Sequence, residues 1–301
     1  MSVWLIGLIL LSTIASGLTV RPDQRIVATG DLHGDLDNTL RILQFTGLVN
    51  SDATWTAGDT IWGDVVDRGV DTIPLYKLIQ RLRAEAAAAG GAVVSTLGNH
   101  EVMNMIGDWR YVHPSDIASF GGTAARAEAF SPEGWIGEEL LQWNVTAVVG
   151  SSLFCHGGVH FGYATPHGTK INDEAKRILP DYIASHGSHH HDPYGVFGSQ
   201  GPTWYRGYAL DSEDEVCPLL EKALKELQVD RMVMGHTVQR DGHIRTRCGG
   251  RAILIDIGIS HVYGGYPGAL EIMGDQIAAI YDNGRRELLT PTGQNTRHDE
   301  L

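Results

Sequence analysis

The sequence predicts an α/β fold. Three observations predict it: short apolar runs of strand length, amphipathic helical repeats between them, and motifs of Gly, Asp, Asn and His where the runs end. Ile26-Val27-Ala28 is the first strand. Residues 92–97 form another, with β-branched Val93, Val94 and Thr96, followed by Leu153-Phe154-Cys155, residues 231–234 and residues 252–255. Residues 269–273 and 276–281 read as two strands joined through Gly274-Asp275. Between them, Leu75, Leu78, Ile79 and Leu82 follow the spacing of one buried helical face, with Pro74 in an early turn and Gly90-Gly91 at the end. Leu220, Ala223, Leu224 and Leu227 repeat that spacing. Ser131-Pro132-Glu133 reads as an N-cap followed by Pro at the first helical position. Ligands in such folds gather at the C-terminal ends of strands.

Composition narrows the partners. The chain has 301 residues, 43% of them apolar, enough for one large domain or two small ones. A formal net charge of -13 argues against nucleic acid, whose phosphates recruit basic surfaces. It leaves a phosphorylated substrate open, because bound metal ions can dominate the charge of a site.

Both termini point to one compartment. Residues 3–14 are almost wholly apolar and run into Ala15, Ser16 and Gly17, so residues 1–17 read as a secretory signal, although no Lys or Arg precedes the run. The run is short for a membrane span, and no stable span is expected. His298-Asp299-Glu300-Leu301 is an endoplasmic-reticulum retrieval signal, which implies its receptor as a partner and the ER lumen as the location. In that oxidising lumen Cys217 with Cys248 is the expected bridge, and Cys155 the buried packing thiol. Asn144-Val145-Thr146 is a glycosylation acceptor if exposed. His186, His189, His190 and His191 fall in residues 185–192, read as a solvated loop rather than a metal site.

Five loops carry the chemistry. They are Gly30-Asp31-Leu32-His33-Gly34, Gly63-Asp64-Val65-Val66-Asp67-Arg68-Gly69, Gly98-Asn99-His100-Glu101, His156-Gly157-Gly158 and Gly235-His236-Thr237. Any one alone is explained by a turn or a satisfied histidine. Together, at strand ends, they supply what a metal site requires.

Their order, GDxHG, GDxxDRG, GNHE, HGG and a late GH, resembles the metallophosphoesterase (calcineurin-like) superfamily, and within it the phosphoprotein phosphatases. Several runs look like the Shewanella-like phosphatases: Gly107-Asp108-Trp109-Arg110-Tyr111 after the third loop, Gly201-Pro202-Thr203-Trp204-Tyr205-Arg206, and Arg247-Cys248-Gly249-Gly250-Arg251 before Ile255-Asp256. The resemblance implies a β-sandwich of two mixed sheets flanked by helices, occupying residues 18–297, with residues 161–200 as a cap or specificity insert.

The resemblance also implies roles. Asp31, His33 and Asp64 would hold one metal ion, with Asp64 bridging to a second completed by Asn99, His156 and His236. The mixed oxygen and nitrogen donors suit Mn, Fe or Zn. Arg68, Arg206 and Asn99 would bind substrate phosphate, and His100, oriented by Asp67, would protonate the leaving oxygen. The implied activity is a phosphomonoester hydrolase acting on phosphoprotein through in-line attack. Alternatives are a phosphodiesterase or small-molecule phosphatase of the same fold, and an inactive metal-binding interaction domain. One departure supports the last. Only Thr60-Ile61-Trp62 separates Asp59 from Gly63-Asp64, so the strand before the second loop is short. Either the strand runs over residues 54–57 and Asp59 is the ligand, or Asp64 is; Asp64 keeps the spacing to Asp67 and Arg68.

Overall fold

The computed structural model describes residues 17–18, 24–57, 61–62, 67–188 and 192–289. Both expected terminal signals lie outside the described residues, apart from Gly17, as do Asp59, Asp64 and His189, His190 and His191.

The strands in chain order are β1 (Gly17–Leu18), β2 (Arg25–Ala28), β3 (Ile61–Trp62), β4 (Ala92–Val93), β5 (Thr146–Val149), β6 (Ser152–Cys155), β7 (Arg231–Met234), β8 (Arg245–Arg247), β9 (Ala252–Leu254), β10 (Gly268–Met273), β11 (Gln276–Tyr281) and β12 (Arg286–Leu288). They build two six-stranded sheets, ordered β1-β5-β6-β7-β9-β8 and β12-β11-β10-β2-β3-β4. Both are mixed: β2, β3 and β4 run parallel, as do β6, β7 and β9, with antiparallel strands completing each sheet. The sheets face each other across a small cavity of about 60 Å³ lined by Ile26, Ala28, Val149, Phe154 and Val233. This is the sandwich of two mixed sheets flanked by helices that the resemblance implied.

The helices are α1 (Leu36–Phe45), α2 (Thr72–Ala88), α3 (Asn99–Met105), α4 (Pro114–Ser119), α5 (Thr123–Phe130), α6 (Gly137–Leu140), α7 (Phe161–His167), α8 (Ile171–Ala184), α9 (Gly207–Leu210) and α10 (Glu213–Leu227). The apolar stripes predict the buried faces well. Leu75, Leu78, Ile79 and Leu82 of α2 are buried, as are Leu220, Ala223, Leu224 and Leu227 of α10.

Two expectations change. Ser131 ends α5 instead of starting a helix; its hydroxyl donates to the Glu128 carbonyl, and turns separate it from α6. The strand expected over residues 92–97 spans only Ala92–Val93, and Thr96 bridges to Asn144 instead. The chain then crosses to residue 144, where Leu97 N–H donates to the Asn144 carbonyl at 2.8 Å. That crossing leaves Asn144 half-buried and Val145 and Thr146 buried, with the Thr146 hydroxyl donating to Asn172. At the edge of the first sheet Gly17 pairs with Val148, which leaves the reading of residues 1–17 as a leader untouched.

The described residues of β3 are in register: Ile61 pairs with Ile26 and with Ala92, and Trp62 with Val93. Residues 54–57 form no strand; Trp55 makes a single bridge to Val49. The Cys217–Cys248 bridge is present, with Cα atoms 5.2 Å apart, and ties α10 to the turn after β8. Cys155 is free and buried, and burial pushes its thiol up to about 12. Residues 161–188 form α7, which packs against α10, and α8, which packs on α7, and their final turn reaches the end of α3, where His186 Nδ1 donates to the Ile106 carbonyl.

Candidate active site

The motif loops leave the C-terminal ends of parallel strands: Asp31 and His33 follow β2, Asp67 and Arg68 follow β3, Asn99 and His100 follow β4, His156 follows β6 and His236 follows β7. Parallel strands point these ends the same way, so residues distant in sequence meet on one rim.

Close backbone contact brings the loops together. A Cβ on Gly30 would lie 2.3 Å from the Ile255 carbonyl oxygen, so only Gly lets the first loop reach the end of β9. A Cβ on Gly69 would lie 2.3 Å from the Gly34 carbonyl oxygen, and the Gly69 N–H donates to the His33 carbonyl at 2.9 Å. His33, Asp67, Arg68 and His236 all have positive φ, of 46°, 113°, 79° and 63°. Such strain concentrates where a loop must aim a side chain.

Asp31 is the hub of the buried cluster. Its carboxylate lies 3.6 Å from His33 Nε2 and 3.6 Å from His156 Nδ1, and it accepts from the His236 backbone N–H at 3.2 Å. His156 Nε2 sits 2.6 Å from Asn99 Oδ1, and the His156 and His236 rings are 4.6 Å apart. The structure therefore gathers Asp31, His33, Asn99, His156 and His236. The sixth expected ligand, Asp64, lies outside the described residues; β3 ends two residues before it.

The donor set suits metal ions. His33 Nδ1 faces the Asp67 carbonyl at 3.0 Å, so donation there leaves the Nε2 lone pair toward Asp31. His156 Nδ1 and His236 Nε2 are buried without a hydrogen-bond partner. Burial lowers the His33 pKa to about 3, with nearby Asp31 opposing the shift. Burial and neighbouring positive groups also hold His156 and His236 well below the ordinary range. Neutral imidazoles with free lone pairs are the form that ligates a metal.

Beside this cluster, His100 Nδ1 is 2.9 Å from Asp67 Oδ2, both buried. Glu101 accepts from the Gly98 N–H at 2.9 Å and fixes the start of α3, which carries Asn99 and His100. Arg206 donates to the His236 carbonyl. Burial lowers its pKa, while Asp31 and Asp256 act in the opposite direction. Arg68 stacks 3.9 Å over the Tyr111 ring and 5.7 Å from that of Tyr263.

Three residues escaped assignment from sequence. Asp256, after β9, is fully buried with Oδ2 unpartnered, and burial beside Asp31 pushes its carboxyl well above the usual range. Tyr263 lies against the His33 ring at 4.9 Å. Arg126 is wholly buried behind Asp67. An acid directly after an apolar run was the one available signal, and it pointed only to Asp256.

Comparison with known proteins agrees with this geometry. The model of the calcineurin-like phosphoesterase family matches residues 24–240. An uncharacterised Schizosaccharomyces pombe protein is 39% identical over 85% of this chain and 80% of its own. Shewanella-like protein phosphatase 2 of Arabidopsis thaliana is 32% identical over 84% of this chain and 76% of its own. A solved cold-active protein-tyrosine phosphatase of a psychrophilic Shewanella superposes with a TM-score of 0.75 at 26% identity, over 90% of this chain and 83% of that one. With its motif loops in family order and its two mixed sheets, the chain belongs to the calcineurin-like phosphoesterases, on their Shewanella-like branch, and is a phosphatase.

Proposed function

We propose that this phosphatase is a metal-dependent phosphomonoester hydrolase acting on phosphoprotein, with phosphotyrosine as the preferred residue, in the ER lumen. The observation that carries the reading is the convergence of Asp31, His33, Asn99, His156 and His236 beside the His100–Asp67 pair. The family generally binds two divalent metal ions. These five residues with Asp64 would hold them, and oxygen with imidazole donors favours Mn, Fe or Zn. Asp64 is preferred to Asp59 because it lies just past the C-terminal end of β3 and keeps the spacing to Asp67 and Arg68. When bound, the ions lower the pKa of water, so a nucleophile is available near neutral pH.

The chain's own groups do the rest. Arg68 and Arg206 offer planar paired donors to the phosphoryl oxygens, a geometry Lys cannot copy. Asn99, whose Oδ1 faces His156 Nε2, would contact phosphate as well as metal. His100 gives Nδ1 to Asp67, which leaves Nε2 to protonate the leaving oxygen as the P–O bond breaks.

Substrate preference rests on Tyr111 and Tyr263, whose rings flank Arg68. A phosphotyrosyl ring entering toward Arg68 would meet aromatic walls. The Shewanella relative is named a protein-tyrosine phosphatase, which supports the same choice. With Mn restored, phosphotyrosyl peptide is expected to exceed phosphoseryl peptide and a bis-aryl phosphodiester by about tenfold or more in kcat/KM. A diester or nucleotide turned over fastest would overturn the reading.

Location rests on the apolar leader and on the closing His298-Asp299-Glu300-Leu301. The Cys217–Cys248 bridge suits an oxidising lumen. Among the described residues no helix is long and apolar enough to cross a membrane. Deleting the last four residues is expected to send the protein into the culture medium. Unchanged intracellular retention would count against retrieval through its receptor.

A further inference from the structure

Asp67 uses one carboxylate oxygen for His100. The other, Oδ1, is buried and has no hydrogen-bond partner. What faces it is Arg126 Nη2, 3.8 Å away. Arg126 has no solvent exposure at all. Its Nη1 donates to Asp116 Oδ2 at 2.6 Å, and its Nε and Nη2 donate to Asn104 Oδ1 at 3.1 and 2.8 Å. The rings of Phe120 and Phe130 lie 4.8 and 4.9 Å from the guanidinium carbon. A guanidinium held by one carboxylate, one amide and two aromatic rings has a fixed position.

The same network reaches His100 by a second route. Asn104, which takes two donors from Arg126, gives its own Nδ2 proton to the His100 carbonyl at 2.9 Å. Asp116 is itself pinned at the start of α2, accepting from Thr72 Oγ1 at 2.8 Å. Arg126 thus bears on both members of the pair: on the Asp67 carboxylate by charge, and on the His100 backbone through Asn104. A burial this complete carries a desolvation cost that packing alone does not require, since apolar side chains fill such space at least as well.

We propose that Arg126, anchored by Asp116, is a positioning residue for protonation of the leaving group. It touches neither phosphate nor the metal-ligand residues. It holds the Asp67 carboxylate turned so that Oδ2 keeps the His100 ring aimed at the leaving oxygen. This rests on the reading of His100 as the acid, and the test separates the two.

The experiment compares metal-loaded, full-length wild type with Arg126→Gln and His100→Asn on two aryl phosphates. Phenyl phosphate needs its leaving oxygen protonated, whereas dinitrophenyl phosphate does not. Arg126→Gln is expected to lower kcat on phenyl phosphate by about 10- to 100-fold, with dinitrophenyl phosphate and both KM values within about threefold. Metal content per chain should equal that of wild type. Removing Arg126 leaves the buried Asp116 carboxylate with Thr72 but no cation, and can prevent folding. In that event Asp116→Asn, which keeps Arg126 but loosens its anchor, carries the test with the same selective loss at about three- to tenfold. Equal losses on both substrates, or none, overturn the role of Arg126. If His100→Asn shows the selective loss and these variants do not, only this inference falls. If His100→Asn lowers both substrates equally, the acid assignment falls and takes the inference with it.

Discussion

Replacing His100 with Asn is expected to lower kcat on a phosphotyrosyl peptide by about 10²- to 10⁴-fold, the range for losing a general acid, with KM changed less than about threefold. His100 sits at the start of α3, its Nδ1 2.9 Å from Asp67 and its ring buried. Asn retains a polar group of similar reach but cannot deliver a proton at Nε2. The His33 ring, 5.1 Å away, is not a substitute, because its Nδ1 is engaged with the Asp67 carbonyl and its Nε2 faces Asp31. Steady-state kinetics on metal-loaded protein, with metal content measured on the same sample, reads the result. A variant that keeps wild-type kcat would remove His100 from the mechanism.

Metal removal is expected to abolish phosphatase activity to background and to make the folded state acid-sensitive. Activity should return on adding Mn, Fe or Zn. The acid sensitivity follows from the buried imidazoles. His33 is held near a pKa of about 3, and His156 and His236 are held well below 6.5, mainly by burial. In the unfolded chain each takes a proton as pH falls below about 6.5, while the folded chain does not. Stability is therefore complete above that value and is lost as pH falls toward the lowered pKa values. The slope is about 1.4 kcal/mol per pH unit for each proton the folded state refuses, so three such groups give up to about 4 kcal/mol per unit. Thermal melts of chelated protein between about pH 7.5 and 5 should show the midpoint falling throughout the lower half of that range. A midpoint independent of pH would mean that these imidazoles are not held neutral.

Much of the architecture was legible because it is local. The strand at residues 231–234 and the hairpin closed by Gly274-Asp275 match β7, β10 and β11 almost residue for residue. Period and turn chemistry are written in neighbouring residues. The faces of α2 and α10 were legible for the same reason. Ser131-Pro132-Glu133 misled, since a Ser followed by Pro caps a helix only if the chain continues helically; here Gly134 and Gly137 pack against the backbone of residues 128–131 and hold turns instead. The strand expected over residues 92–97 misled because β-propensity does not say which segment each residue pairs with; Thr96 bridges to Asn144 instead.

The sequence by itself determined the motif loops, their order, the donor types at Asp31, His33, Asn99, His156 and His236, and hence the family. Each of those rests on a short pattern that a chain carries wherever it folds. Only the tertiary structure decided that Asp31 is the hub, that His33 presents Nε2, that Asp256 stands beside the cluster and that Arg126 backs Asp67. These depend on contacts between residues separated by dozens to hundreds of positions. Such contacts are fixed by sheet pairing and by buried polar groups finding partners, and no local pattern encodes either. Of the six residues that motif order singles out, Asp31, His33, Asn99, His156 and His236 meet at one point, and Asp64 lies outside the described residues.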